Sequence, residues 1–319
     1  MTPHDRRHFL QVSATAMAAG FVPANRLGAD ARSASYPVGS VTAPTPSPKP
    51  LRLGLIIGVE KDPDAAISKV HGLGLPTAQV ELDNFAPEML TGLRKALDRY
   101  SIEATSLVVG GPGPEVYDFY HGPLTCGLVP RQYRAARLDR IKKASEFAKQ
   151  CRIPAVQTHC GFIPENPNDI LYKEVVAAIR EAASTCKSNG QNFRCETGQE
   201  TPITLIRAIK DVGLDNVGVN FDLANLILYG KGNPLDAIEL FGRYIQGIHA
   251  KDGLFPTDPK ELGKEVPIGQ GKVAFPRIIQ RLKELQYQGA VTIEREISGP
   301  QQIEDVKAAK AFLEKVISS

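Results

Sequence analysis

Eight short runs of apolar and β-branched residues recur along this chain, and a helical pattern follows each of them. Alternation of strands and helices is typical of parallel strands joined by helical crossovers. Eight such units predict a closed (β/α)8 barrel. A doubly wound open sheet is the alternative, but it uses fewer strands and needs a crevice motif that we do not find. The eight runs lie near residues 51–57, 78–82, 104–109, 154–159, 191–196, 217–222, 245–250 and 291–295.

The helical patterns carry recognisable start signals. Apolar residues recur at steps of three and four over residues 133–150 and 170–187, which predicts two long amphipathic helices. Asp62-Pro63, Thr201-Pro202 and Asn233-Pro234 each place a capping residue before a proline, which suits the first turn of a helix.

The first fifty residues do not resemble a folded domain. Arg6-Arg7-His8-Phe9-Leu10 precedes an uncharged, Ala-rich stretch over residues 11–24, and Ala29-Asp30-Ala31 is a candidate cleavage site. This pattern predicts a twin-arginine signal peptide over residues 1–34, removed on export to the periplasm. The apolar stretch is shorter than the roughly 20 residues that a transmembrane helix needs, so we expect no stable membrane insertion after export. Residues 35–50 are rich in Pro, Ser and Thr and predict a disordered linker.

Charge and cysteine content exclude some classes of function and structure for residues 51–319. The first fifty residues hold five basic and two acidic side chains, so the remainder carries 33 of each kind. A formally neutral domain lacks the overall excess of positive charge that is typical of nucleic-acid-binding proteins, and we expect no nucleic-acid partner. The five cysteines are an odd number without a CxxC pair, which argues against a disulfide framework. We interpret Cys160 and Cys195 as buried packing residues.

Four residues with metal-binding side chains end four of the predicted strands. Glu196, Asp222, His249 and Glu294 are separated by 26, 27 and 45 residues, near the roughly 30 residues expected for one β/α unit. A single glutamate at a strand end is more often a hydrogen-bonded structural acid. Four ligands at strand ends on one rim instead predict a metal at the mouth of the barrel.

Two glutamates, one aspartate and one histidine form a hard oxygen and nitrogen site. Such a site suits one divalent ion, Mn, Mg, Co or Zn, among which we favour Mn. This ligand set leaves room for two substrate oxygens. The expected chemistry is removal of a proton next to a carbonyl group, with the enediolate stabilised by a Lewis acid.

Several segments resemble one family. They are Cys195-Glu-Thr-Gly-Gln-Glu-Thr-Pro202, Asn220-Phe-Asp-Leu-Ala-Asn225, His249-Ala-Lys-Asp252, Gly269-Gln-Gly-Lys-Val-Ala-Phe275 and Ile293-Glu294. They are similar to the xylose isomerase-like TIM barrel superfamily, in particular its sugar phosphate isomerase/epimerase branch with the ketose 3-epimerases. The resemblance covers roughly residues 51–316, and we assign residues 51–319 to the barrel domain.

The resemblance implies a metal-dependent isomerase or epimerase that acts on a small carbohydrate. It assigns the metal to Glu196, Asp222, His249 and Glu294, and makes Glu196 and Glu294 the catalytic acid/base pair. Such a pair must flank the substrate, and strands five and eight of the barrel allow this.

Four further residues are candidates for the site. His159 lies in Thr158-His-Cys-Gly161, which resembles a motif of the superfamily, and we predict that it contacts substrate, with a structural core histidine as the alternative. Lys251 is either a substrate contact or a solvated surface lysine. Asn225 stands where several relatives carry a histidine; we predict a substrate contact there, and the missing histidine argues against a three-metal nuclease site. Asp252 is expected to orient a neighbouring ligand.

Other functions and partners stay open. Because an exported enzyme meets few sugar phosphates, the same enediolate chemistry could serve a keto-sugar lyase or deglycosylase. A carbohydrate-binding barrel without turnover is the non-enzymatic alternative, although it needs no acid/base pair. The long connections 110–130 and 251–275 follow strands and are candidate substrate walls. They are also candidate surfaces for self-association, which leaves a homo-oligomer open.

Overall fold

A computed structural model describes residues 51–319, and eight parallel strands in it close into a barrel. Going round the ring, each barrel strand pairs with the next barrel strand along the chain, and the last pairs with the first. The prediction of a closed (β/α)8 TIM barrel is therefore confirmed. The barrel strands are β1 (Arg52–Val59), β2 (Thr77–Leu82), β3 (Glu103–Val108), β4 (Ala155–His159), β5 (Asn192–Glu196), β6 (Val217–Asp222), β7 (Ile245–Ala250) and β10 (Ala290–Ile293).

Helices follow the strands as predicted. The two long amphipathic patterns form the helices Arg131–Gln150 and Ile170–Ser188, each extended by one or two residues beyond the predicted range. The helices are α1 (Pro63–Gly72), α2 (Pro87–Tyr100), α3 (Gly122–Thr125), α4 (Arg131–Gln150), α5 (Ile170–Ser188), α6 (Pro202–Val212), α7 (Asn225–Leu228), α8 (Pro234–Phe241), α9 (Phe275–Glu284) and α10 (Pro300–Ser318).

Two of the three predicted helix caps form. The side chain of Asp62 accepts from the backbone N–H of Ala65, and that of Asn233 accepts from Leu235. Thr201 precedes α6 without a capping bond, because its hydroxyl bonds instead to the carboxylate of Glu165.

Side chains along each strand alternate between the apolar core and the interior of the barrel. In β5, Phe193 and Cys195 belong to the apolar core, whereas Arg194 and Glu196 occupy the other face. Glu196 accepts from Gln157 of the neighbouring strand β4, and Gln157 Nε2 lies 3.4 Å from His249 Nε2 of β7, so that face points inward. The interior at this level is therefore polar, and the apolar core lies between strands and helices.

The two long connections have structure of their own. Residues 251–275 contain an antiparallel hairpin of β8 (Asp252–Leu254) and β9 (Lys264–Val266), which the sequence did not predict. Residues 110–130 contain α3 and fold against the end of β4 through a close approach of Gly127 and Gly161. Both glycines have positive φ, and a Cβ on either would lie 2.3 Å from the backbone of the other segment. This contact fixes the first long loop beside the barrel mouth.

The predicted signal peptide and linker lie in residues 1–50, outside the described residues, and stay predictions. Within residues 51–319, no helix combines the length and the apolar character that a membrane crossing requires.

Candidate metal centre

The four predicted ligands meet at one end of the barrel. One ligand atom from each of Glu196, Asp222, His249 and Glu294 lies within 4.8 Å of all the others, and all four residues are buried. The Nδ1 atom of His249 lies 2.9 Å from Glu294 Oε2, 3.1 Å from Glu196 Oε1 and 3.6 Å from Asp222 Oδ2. The convergence arises because β5, β6, β7 and β10 are neighbours in the ring and each presents its C-terminal end to the same rim.

In three of these residues, a hydrogen bond to one polar atom fixes the side chain, and the other polar atom faces the cluster. Gln157 Nε2 donates to Glu196 Oε2 at 3.0 Å, and the backbone N–H of Asn225 donates to Asp222 Oδ1 at 2.7 Å. His249 Nε2 donates to Gln79 Oε1 at 2.7 Å, which turns Nδ1 towards the three carboxylates. Such contacts orient ligands in metal sites.

Three polar atoms of the cluster have no hydrogen-bond partner among the described residues. They are Asp222 Oδ2, His249 Nδ1 and Glu294 Oε2, and all three are shielded from solvent. Buried polar atoms without a partner are rare and costly. A divalent cation bound between them would satisfy all three at once, so the residues present fit the predicted ion.

The charges of the cluster also favour a bound cation. Burial alone would lower the pKa of His249, but the nearby carboxylates of Glu196 and Glu294 raise it well above its ordinary value. Burial raises the pKa of Asp222 to about 7. Three carboxylates in so small a volume therefore favour any positive charge that can enter.

Lys251 is buried beside the cluster, which excludes the solvated surface lysine. Its side chain is 1% exposed, and Nζ lies 2.8 Å from Glu296 Oε1, 3.5 Å from Glu294 Oε2 and 3.7 Å from Asp222 Oδ2. It also donates to Asn225 Oδ1 at 3.1 Å. Asn225 thus holds Asp222 through its backbone and Lys251 through its amide.

A cavity of about 450 Å³ opens above the cluster. Its lining includes the predicted contacts His159 and Asn225, together with Glu196 and Glu294. His159 Nε2 lies 3.6 Å from Glu196 Oε1, and its ring packs against Tyr117 at a centroid distance of 5.5 Å. The roles of His159, Asn225 and Lys251 towards substrate stay predictions.

Asp252 organises the second long loop. Its Oδ1 accepts from the backbone N–H groups of Gly253 and Val273, and its Oδ2 accepts from those of Gly269 and Gly271. This carboxylate ties residues 269–273 to the hairpin beside the mouth. The predicted role of Asp252 in orienting a metal ligand stays a prediction.

The sequence reasoning missed the polar residues beneath the ligands. Gln79 of β2 bonds both His249 and Asn220, while Gln157 of β4 bonds Glu196 and accepts from Ser106. Gln157 lies two residues before His159, so strand alternation could have placed it on the inner face.

Glu200 was missed as well. This residue follows β5 by four positions, is 1% exposed, and has no hydrogen-bond partner for either carboxylate oxygen among residues 51–319. Burial raises the pKa of Glu200 to about 8, with Lys231 opposing the shift. The folded protein therefore holds Glu200 uncharged at neutral pH.

We expect Gln79→Leu to weaken Mn²⁺ binding by roughly 10- to 100-fold, because His249 loses the acceptor that fixes its ring. Titration calorimetry on the metal-free protein measures the effect. Gln191→Leu is the matched control, since Gln191 is a buried glutamine bonded to Ser145 and Ile153 outside the cluster. Equal Mn²⁺ affinity in Gln79→Leu and wild type would contradict the assigned contact.

We expect the stability gained by Glu200→Gln to grow with pH. In the unfolded chain Glu200 loses its proton near pH 4.3, whereas the folded state keeps it up to about pH 8. The free energy of unfolding of the wild type therefore falls as the pH rises through this window. The glutamine of the variant carries no titratable group, so the variant does not lose this stability. The variant should gain on the order of 3 kcal/mol over wild type between about pH 5 and pH 8, measured by urea unfolding. Glu314→Gln on the surface of α10 is the control, and a pH-independent difference for Glu200→Gln would refute the assignment.

Comparisons with known proteins agree with this architecture. Residues 67–316 match the family described as xylose isomerase-like TIM barrel. An uncharacterized protein of Methanocaldococcus jannaschii, MJ1311, is 26% identical over 246 residues, which cover 73% of this chain and 76% of that protein.

Solved structures include similar barrels. A xylose isomerase domain protein from Planctomyces limnophilus has a TM-score of 0.80 and 33% identity, covering 84% of this chain and 98% of the other. A D-psicose 3-epimerase crystallised with D-fructose has a TM-score of 0.63 and 18% identity, covering 84% of this chain and all of the other. A D-tagatose 3-epimerase-like protein has a TM-score of 0.65 and 19% identity, covering 83% and 98%.

The family match spans most of the chain, and the Planctomyces relative covers more than two thirds of it at over 30% identity. This chain belongs to the xylose isomerase-like TIM barrel family.

Proposed function

We propose that this protein is a divalent-metal-dependent isomerase or epimerase of small sugars, which moves a proton on the carbon next to a carbonyl group. The convergence of Glu196, Asp222, His249 and Glu294 at the floor of a cavity is the observation that carries the proposal. The structural neighbours titled D-psicose 3-epimerase, D-tagatose 3-epimerase-like protein and L-ribulose 3-epimerase support it through their shared fold.

The four side chains would hold one ion, with Mn²⁺ as our first choice over Mg²⁺, Co²⁺ and Zn²⁺. When bound, the ion supplies a Lewis acid that stabilises negative charge on a substrate oxygen.

Glu196 and Glu294 are the proposed acid/base pair. Their strands, β5 and β10, stand three places apart in the ring of eight. In our proposal the two carboxylates approach a substrate from different sides. Both residues also line the cavity, which brings them within reach of a ligand. One glutamate accepts the proton from the reacting carbon, and the other returns a proton to the opposite face.

Four neighbouring residues support this proton transfer in our proposal. His159 and Asn225 line the cavity and contact substrate hydroxyl groups. The ammonium group of Lys251 lies 3.5 Å from Glu294 Oε2 and adds positive charge where negative charge develops on the substrate. Asp252 keeps the loop of residues 269–273 at the rim.

The location of the enzyme is part of the same proposal. A twin-arginine signal over residues 1–34 and a linker over residues 35–50 would deliver the folded barrel, residues 51–319, to the periplasm. Export after folding agrees with five free, buried cysteines.

A keto-sugar lyase or deglycosylase is the second candidate function. The cavity of about 450 Å³ falls in the range that encloses drug-sized ligands and leaves space for a substituent on the sugar ring. Incubation of the Mn²⁺-loaded protein with 3-keto-glycosides and with free ketoses separates the two reactions, because only a lyase releases the aglycone. A binding barrel would catalyse neither reaction.

We expect Glu294→Gln to lower turnover by about 10²- to 10⁴-fold, because the amide cannot accept the substrate proton. The measurement is deuterium uptake from heavy water into D-psicose, D-tagatose and L-ribulose by the Mn²⁺-loaded protein. Glu304→Gln, an exposed glutamate on α10, is the control and should keep wild-type uptake. Full turnover by Glu294→Gln would remove this residue from the mechanism.

A further inference from the structure

The long loop of residues 110–130 is bonded to one buried arginine of α4. Arg137 is 2% exposed, and its guanidinium group donates three hydrogen bonds to the loop. Nη1 donates to Gly127 O at 2.6 Å, Nη2 to Pro114 O at 2.9 Å and Nε to Pro112 O at 3.3 Å. All three acceptors are backbone carbonyl groups, so this one side chain joins the loop to the helix behind it.

Glu115 bonds to both ends of the same loop. Its Oε2 accepts from the backbone N–H of Gly111 at 3.0 Å, and its Oε1 accepts from that of Gly127 at 3.1 Å. Arg137 Nη1 lies 3.8 Å from Glu115 Oε1, and the two side chains are only 3% and 13% exposed. Removing one partner of a buried ion pair leaves the other charge without compensation, which is strongly destabilising. The pair therefore holds Gly111 and Gly127 together and closes the loop.

Two glycines let the loop approach α4 closely. A Cβ atom on Gly111 would lie 2.1 Å from Arg137 Nε, and one on Gly113 would lie 2.8 Å from the ring of Tyr133. Gly113 also has a φ of +87°, which other residues rarely adopt. Arg137 Cζ lies 5.0 Å from the centroid of the same Tyr133 ring. The guanidinium group is thus enclosed between the loop and an aromatic side chain, which fixes its orientation.

The closed loop supplies part of the cavity wall. Glu115 and Tyr117 line the cavity, and the Tyr117 ring packs against His159 at a centroid distance of 5.5 Å. Tyr117 is 47% exposed, so its place beside His159 depends on the backbone of the loop. Arg137 is not among the described residues that line the cavity, so its effect on a ligand must act through the loop.

We infer that Arg137 is a positioning residue for ligand binding: through the loop, it holds Tyr117 beside His159 as a fixed wall of the cavity. The inference deepens the proposed function and rests on its sugar-binding part. A wall that is already in place spares the ligand the entropic cost of ordering the loop. The benefit therefore appears in the affinity for sugar. The metal cluster, to which Arg137 forms no hydrogen bond or ion pair, keeps its affinity for Mn²⁺.

The test is calorimetric binding of D-psicose, D-tagatose and L-ribulose to the Mn²⁺-loaded protein, together with hydrogen exchange of the loop amides. Arg137→Met keeps a long side chain but donates no hydrogen bond. We expect this variant to bind sugar roughly 10- to 100-fold more weakly than the wild type. Amides of residues 111–127 should exchange at least about tenfold faster, while Mn²⁺ affinity stays unchanged.

Two further arginine variants show whether the loss is specific. Arg137→Lys keeps the charge beside Glu115 but offers one nitrogen in place of three, so it should recover part of the lost affinity. Arg180→Met is the matched control. Arg180 of α5 also donates to two backbone carbonyl groups, those of Asp211 and Val212 at the opposite end of the barrel, and its loss should leave sugar binding unchanged.

A double-mutant cycle separates positioning from a general loss of stability. Tyr117→Ala removes the positioned ring from an exposed part of the loop and should weaken sugar binding by a similar factor. Because Arg137 acts through Tyr117, adding Arg137→Met to Tyr117→Ala should cause little further loss. Arg137→Lys replaces Arg137→Met in the cycle if the latter folds poorly. Tyr120→Ala is the control, since Tyr120 is 58% exposed in the same loop and lies outside the cavity lining.

The inference is overturned if the wild type binds none of the three sugars, if Tyr117→Ala binds like wild type, or if the losses from the two substitutions simply add. Binding that depends on Arg137 and Tyr117, without deuterium uptake into any sugar, would keep the inference and reject the isomerase. Uptake that Glu294→Gln abolishes, with a KM that Arg137→Met leaves unchanged, would reject the positioning role alone.

Discussion

Mutual repulsion among three buried carboxylates is the constraint on which the candidate site depends. At an effective dielectric constant of about 20, two like charges 4.8 Å apart repel by roughly 3 kcal/mol, and three such pairs meet in this cluster. The fold accepts this cost only where a positive charge can be held between the carboxylates. The neighbouring His249 and Lys251 respond with raised pKa values, and the unpartnered atoms of the cluster face one another.

The barrel makes this concentration of charge possible. Parallel strands place their last residues on one rim, and a polar layer inside the barrel fixes the ligands from below. Gln79 and Gln157 each hold one ligand while bonding to a further polar residue, so the ligands keep their orientation. Above the cluster, Asp252 and the contact between Gly127 and Gly161 hold the two long loops against the rim.

The strands and the four proposed ligands were predictable because both follow from local pattern. A β/α repeat dictates the barrel, and Glu196, Asp222, His249 and Glu294 stand at strand ends whose position in the barrel follows from chain order. The partners of those residues were not predictable in the same way. The contacts of Gln79 with His249 and of Lys251 with Glu296 depend on register and on side-chain packing across the ring, which one sequence does not reveal. The hairpin of β8 and β9 was missed because its strands are only three residues long.

The central claim is that these four side chains bind one divalent ion together. Anomalous diffraction from crystals grown with Mn²⁺ tests it most directly. We predict a single strong peak within about 2.0–2.4 Å of one atom from each of Glu196, Asp222, His249 and Glu294. Saturating Mn²⁺ that gives no peak at the cluster, or a peak bound by two or fewer of these residues, would contradict the account.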